Sequence, residues 1–188
     1  MQLDKTSGLV DIAEWIASPN FDDRENVNSP EAVIIHCISL PPGVYGGNHI
    51  QRFFQNQLSS TEDPYFLSMA HLTVSSHFLI TRSGHLQQFV STNKRAWHAG
   101  ESMLFNKPKV NDFSLGIELE GLDTDEMGFT CAQYSCLASL TKTLIEAYPS
   151  LNHNKIFAHS DIAPGRKPDP GPYFDWNRYL NLIDSMST

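Results

Sequence analysis

Residues 113–148 restrict the fold more than any other stretch of the chain. Over 113–120 the apolar residues Phe113, Leu115, Ile117 and Leu119 alternate with Ser114, Gly116, Glu118 and Glu120, which is the period of a strand with two distinct faces. Further on, Thr130 and Gln133 form a capping-box pattern. Tyr134, Leu137, Leu140, Leu144, Ile145 and Tyr148 then recur at helical spacing until Pro149 ends the run. A two-faced strand followed by an amphipathic helix buries its apolar surface only in a layered structure.

The remaining elements repeat that alternation. Ala32-Val33-Ile34-Ile35-His36, between Ser29-Pro30 and Pro41-Pro42-Gly43, predicts a buried strand with His36 at its C-terminal end. Residues 48–55 read as a helix, and 58–68 as a surface loop that can border a site. Residues 76–81 and 86–90, with Ser83-Gly84 between them, have the pattern of a hairpin. Ile156-Phe157-Ala158-His159 reads as another strand, and Asp175 is placed to cap a last helix carrying Trp176, Tyr179, Leu180 and Ile183. Interleaved strands and helices specify an α/β architecture, a central sheet with helices packed on it. With 188 residues, 40% of them hydrophobic, and neither repeat nor linker, the expectation is one domain over 1–188.

A net charge of -8 and the lack of any Lys/Arg run argue against nucleic acid or an anionic membrane as partner. The first eight residues have neither the basic start nor the apolar stretch of an export signal, and no segment is apolar enough to span a bilayer. The three cysteines, Cys37, Cys131 and Cys136, are an odd number, and the last two do not face each other on a helix. A reducing, cytoplasmic setting is therefore expected.

His36 and His159 each end an apolar strand. Beyond the second lies Ala163-Pro164-Gly165-Arg166-Lys167-Pro168-Asp169-Pro170-Gly171, where prolines on both sides limit the directions from which the Asp169 carboxylate can approach a partner. Two imidazoles and a carboxylate supply zinc with three ligands and leave a fourth position for water, as in catalytic sites. Taken alone, the pattern also fits satisfied histidines and an ordinary Pro-Asp-Pro turn, and both readings stand on spacing alone.

Five segments in order carry a resemblance: Val33-Ile34-Ile35-His36, Ser76-His77-Phe78-Leu79-Ile80, Ala96-Trp97-His98-Ala99-Gly100, Gly116-Ile117-Glu118-Leu119-Glu120-Gly121, and His159-Ser160-Asp161-Ile162-Ala163-Pro164-Gly165-Arg166-Lys167-Pro168-Asp169-Pro170-Gly171. Together they resemble the type 2 N-acetylmuramoyl-L-alanine amidases, most closely the members that act on 1,6-anhydromuropeptides in the cytoplasm, over a core of about residues 18–176. The resemblance implies the mixed sheet and flanking helices of the type 2 amidase and peptidoglycan-recognition fold. It implies Zn2+ held by His36, His159 and Asp169, Glu118 as catalytic carboxylate and Lys167 as catalytic lysine. The implied substrate is a small muropeptide, cut between its lactyl group and L-alanine during cell-wall recycling, with an indirect effect on β-lactamase induction and no obligate protein partner.

Trp97 offers an apolar wall to a sugar or peptide, and His98 and Cys37 are further candidates for substrate contact. His77, inside an apolar strand, reads as a satisfied buried histidine. Glu120 reads as the solvated neighbour of Glu118, and Lys167 equally as half of a surface pair with Arg166. Two positions depart from the closest relatives: Cys37 stands where Asn is usual and Thr73 where Arg is common, so substrate preference is less constrained than the reaction. Two alternatives remain, an amidase acting on intact peptidoglycan and a non-catalytic muropeptide-binding module on the same fold.

Overall fold

The computed structural model describes residues 1–25 and 29–186. Six strands form its central sheet: β1 (Glu14–Trp15), β2 (Ala32–Ile38), β3 (Phe78–Ile80), β4 (Leu86–Gln88), β5 (Ser114–Glu120) and β6 (Ile156–Ala158), in the order β6-β2-β5-β3-β4-β1. β2 is parallel to β5 and to β6, and β3 is parallel to β5. β3 and β4 form the antiparallel hairpin that residues 76–90 predict. The sheet is mixed, and its longest strands, β2 and β5, lie side by side near its middle.

One face carries α2 (Cys131–Ala147) and α4 (Trp176–Ser185), whose apolar stripes cover Val33, Ile35, Leu115, Ile117 and Leu119. Full burial of such side chains contributes about 1.5–3 kcal/mol each. The predicted caps are present. Thr130 Oγ1 accepts from Gln133 N at 3.1 Å while Gln133 Oε1 accepts from Thr130 N at 3.0 Å, and Asp175 Oδ1 accepts from Arg178 N at 2.9 Å. Thr141 and Tyr179 share a 2.6 Å hydrogen bond between the two helices.

The opposite face is covered by α1 (His49–Phe54), lying within the predicted 48–55 helix, and by long irregular segments. Both of the distinct faces expected of β5 are covered, since all seven of its residues are buried. Residues 58–68 are also less loop-like than expected. They end in a 3-10 turn, Pro64–Ser68, capped by Asp63 and anchored by fully buried Phe66. β2 runs two residues past His36. β6 stops at Ala158, so His159 opens the short helix α3 (His159–Ile162) instead of closing the strand.

Candidate active site

Strand register alone assembles the floor of the site. Across the parallel pair, Glu118 lies beside His36, and Ala158 lies beside Ile35, which puts His159 next to His36 on the other side. Glu118, His36 and His159 therefore form a row at the carboxyl ends of β5, β2 and β6, the end of a parallel sheet where crevices form. Asp161 Oδ2 accepts from Ala158 N at 2.8 Å and fixes the strand-to-helix turn that aims His159.

Asp169 reaches the row from the loop after α3. Ser160 N donates to Asp169 O at 3.0 Å, tying that loop to the helix, and the Asp169–Pro170 bond is cis. Gly171 ends the loop at φ +87°, and a Cβ there would stand 2.1 Å from Asp123 O, so no larger residue lets these backbones approach so closely.

His36 Nδ1, His159 Nδ1 and Asp169 Oδ2 converge: the nitrogens are 2.9 Å apart, and the carboxylate oxygen is 3.2 Å from the first and 3.0 Å from the second. They are a group that could hold a metal ion. Tetrahedral zinc with bonds of about 2.0–2.1 Å would put its ligand atoms about 3.3 Å apart, so the three donors fit such an ion after small outward movements. The far ring nitrogens are engaged as well. His36 Nε2 lies 2.9 Å from His98 Nδ1, and His159 Nε2 lies 3.1 Å from Ala99 O.

Burial pulls the His36 pKa down to about 4 against the opposing pull of Asp169, so its ring is neutral at pH 7. Burial also works against the charge of Asp169, but the two imidazoles of His159 and His36, whose Nδ1 atoms lie 3.0 and 3.2 Å from its Oδ2, outweigh it and hold this carboxyl well below the usual carboxylate range. Glu118 is shifted the other way. Burial first, and then the nearby charge of Asp169, raise its pKa well above the ordinary value, while Lys167 opposes them. Among the described residues Glu118 Oε2 is buried without a hydrogen-bond partner.

A cleft of about 350 Å³ opens over this row, and Trp97, Cys37, Lys167, Tyr65 and Leu72 are among the residues that line it. Exposed Lys167 reaches the cleft, whereas Arg166 turns away to donate to Ala99 O and Glu101 O at 2.7 and 2.6 Å, so the two do not act as a pair. Cys37 Sγ faces Pro170 O at 3.8 Å and packs against the helix-covered core. Its thiol is raised far above the ordinary value, chiefly by burial, and it stands apart from the three converging donors. Both His98 nitrogens are spent inside the protein, one on His36 and the other on Ser114 Oγ at 3.1 Å, so only its ring surface is offered to the cleft. Thr73 is exposed, and the cleft wall takes Leu72 and Val74 from its segment instead.

Glu120 is not the solvated residue expected. It is buried, and its carboxylate accepts from Gly46 N and from Arg82 N, holding the loop after β2 against the β3–β4 hairpin. His77 is satisfied as predicted, accepting from Gly116 N at 3.0 Å on Nδ1 and reaching Lys94 O at 3.0 Å through Nε2. Sequence reasoning missed Ser114 and Ala99. The polar phase of β5 pointed to Ser114, but the role of Ala99 lies in a backbone carbonyl, which no residue type encodes.

A mixed sheet with two imidazoles, a carboxylate and a buried glutamate at its carboxyl edge defines a hydrolase-like cleft. The sequence profile of the N-acetylmuramoyl-L-alanine amidases matches residues 26–172, and the chain belongs to that family. Within it, the 1,6-anhydro-N-acetylmuramyl-L-alanine amidase AmpD of Haemophilus influenzae is 45% identical over 180 residues, covering 96% of this chain and 97% of that protein. The crystal structure of a selenomethionine AmpD derivative superposes with a TM-score of 0.93 at 45% identity, over 97% of this chain and 99% of that one. The Escherichia coli amidase AmiD in complex with the substrate anhydro-N-acetylmuramic acid-L-Ala-D-γ-Glu-L-Lys is 28% identical with a TM-score of 0.60, over 84% of this chain and 60% of that one.

Proposed function

We propose that this protein is a zinc-dependent amidase that hydrolyses the bond between the lactyl group of 1,6-anhydro-N-acetylmuramic acid and L-alanine in soluble muropeptides. The observation that carries this reading is the convergence of His36 Nδ1, His159 Nδ1 and Asp169 Oδ2 beside Glu118, whose buried Oε2 has no hydrogen-bond partner among the described residues. His36, His159 and Asp169 would hold the zinc, which would supply a nucleophilic water with its pKa lowered to about 7. Glu118, whose burial raises its affinity for a proton, would act in its ionised form, taking a proton from the attacking water and delivering it to the departing alanine nitrogen. The Lys167 ammonium offsets the negative charge that grows on the lactyl carbonyl oxygen. Trp97 supplies an apolar wall to the bound fragment.

The reading extends to one amidase domain over residues 1–188 acting in the cytoplasm in the recycling of wall fragments, without an obligate protein partner. Support comes from the 1,6-anhydro sugar in the name of the Haemophilus influenzae relative and from the net charge of -8, which offers no attraction to nucleic acid or an anionic membrane. Among the described residues no helix is long and apolar enough to cross a membrane.

Incubation of zinc-loaded protein with an anhydromuramoyl tripeptide, followed by mass spectrometry, tests the reading. Free anhydromuramic acid and an L-alanyl peptide are expected, and neither in a chelator-treated control. Intact substrate under verified zinc loading would overturn it, and preferential release from polymeric sacculi would reassign the substrate. Lys167→Ala is expected to lower kcat/KM by about 100-fold, nearly all of it in kcat, as for a group that acts on charge present only in the transition state. A change confined to KM would make Lys167 a binding residue.

A further inference from the structure

We infer that residues 98 and 99 form a two-sided clamp on the tautomers of the metal-site histidines, in which His98, oriented by Ser114, and the carbonyl of Ala99 hold the protons of His36 and His159 on Nε2 and keep both Nδ1 lone pairs free. The inference rests on the metal-site reading above and assigns His98 and Ser114 as positioning residues, neither of them a ligand.

The direction of the chain follows from which atoms can only accept. Ser114 Oγ lies 2.7 Å from Val110 O, which has no proton to give, so the hydroxyl donates there. Its oxygen is then free to accept, at 3.1 Å, from His98 Nε2–H. A neutral His98 that donates through Nε2 can only accept at Nδ1, and the atom facing Nδ1 at 2.9 Å is His36 Nε2. His36 therefore carries its proton on Nε2 and presents Nδ1 to Asp169 and His159. On the other side one contact favours the same tautomer: Ala99 O, 3.1 Å from His159 Nε2, can only accept, and Nε2 is the nitrogen left to carry the proton when Nδ1 is turned to a metal ion.

The clamp has work to do because Asp169 pulls the opposite way. Its Oδ2 lies 3.2 and 3.0 Å from the two Nδ1 atoms, close enough to draw a proton onto either, and a proton on Nδ1 blocks ligation. A hydrogen-bond partner on the far nitrogen is the general means by which proteins settle which nitrogen meets a metal.

The surroundings hold the clamp in place. Asn111 Oδ1 accepts from both His98 N and Ala99 N, at 3.1 and 2.8 Å, and Arg166 Nη2 donates to Ala99 O at 2.7 Å. Position 116 is glycine where a Cβ would stand 2.5–2.8 Å from three atoms of the His98 ring, so β5 leaves open the space that this imidazole fills.

Zinc affinity by chelator competition, together with long-range 1H–15N NMR of the histidine rings in metal-free protein, tests the clamp. In the unsubstituted protein His36 and His159 are expected as Nε2–H tautomers. His98→Leu is expected to weaken zinc binding by about 10–100-fold and to move His36 toward Nδ1–H while His159 keeps its pattern. His98→Asn, whose Oδ1 stands near the place of the imidazole Nδ1, should recover most of the affinity. Ser114→Ala deletes one hydroxyl and should mix the tautomers of His98 and His36, so it keeps the test decisive where the leucine variant does not fold. Unchanged zinc affinity with His36 still Nε2–H in folded Ser114→Ala and His98→Leu proteins would overturn the clamp. Failure of the unsubstituted protein to bind zinc would instead overturn the metal reading, since the tautomers are read without metal.

Discussion

Asp169→Ala purified from zinc-replete medium is expected to carry far less than one zinc per chain and to show only the turnover of chelator-treated protein. Two neutral imidazoles alone leave the ion with too few ligands and with no negative charge to offset its own in a partly buried cleft. The substitution also leaves His36 Nδ1 and His159 Nδ1 facing each other at 2.9 Å without the carboxylate that both contact. His36→Ala and His159→Ala should behave alike, because each removes one of three donors held by a different element: β2, the start of α3, and the loop behind it. Asp169→Asn separates shape from charge, since it keeps an oxygen at the same place and should still lose most of the metal. Elemental analysis of the folded variants checks this, and stoichiometric zinc in all three alanine variants would move the site elsewhere.

Glu118→Gln is expected to keep its zinc and to lose about 100- to 10,000-fold in kcat, the usual range for removal of a general acid–base. The glutamine retains the size of the side chain and the pairing of β5 with β2, so loss of turnover at unchanged zinc content would isolate proton transfer. A second readout comes from stability. Burial raises the Glu118 pKa in the folded state above that of the unfolded chain, about 4.3. The folded state thus penalises the ionised form: wild-type stability is unaffected below that unfolded value and falls as pH rises toward the folded pKa. Glutamine does not titrate, so the metal-free variant should melt at a higher temperature than metal-free wild type at pH 8, and the difference should shrink as the pH falls toward about 4. Zinc favours the ionised carboxylate, so the gap should be smaller in loaded protein. Equal melting temperatures of the metal-free proteins across that range would show that Glu118 is not desolvated in solution.

Much of the architecture was legible without coordinates because it depends on local periodicity. The 3.6-residue recurrence over 134–148 with its capping box predicted α2, and the β-branched run at 32–36 and the alternation at 113–120 predicted the two longest strands. Within the site, the prolines around Asp169 and the ordered segments that resemble the amidases pointed to the three residues that do converge. The misreading of Glu120 shows where periodicity stops. Alternation places Glu118 and Glu120 on one side of β5, but it does not say what lies over that side. Two residues along the strand, the cover changes from the open cleft to the loop carrying Gly46, and a carboxylate facing one has different work from a carboxylate facing the other.

The sequence by itself determined which residues can share a face, where helices begin and stop, and which side chains are chemically able to hold a metal or move a proton. Only the tertiary structure decided who meets whom. The side-by-side placement of His36 with Glu118 and His159 comes from the register of β2 against β5 and β6, and the partners of the far ring nitrogens come from a loop about sixty residues away from each histidine along the chain. The physical reason is that backbone dihedrals set periodicity residue by residue. A hydrogen bond between distant segments is set by the packing of all the layers at once, and its direction by whichever atom in the chain has no proton to give.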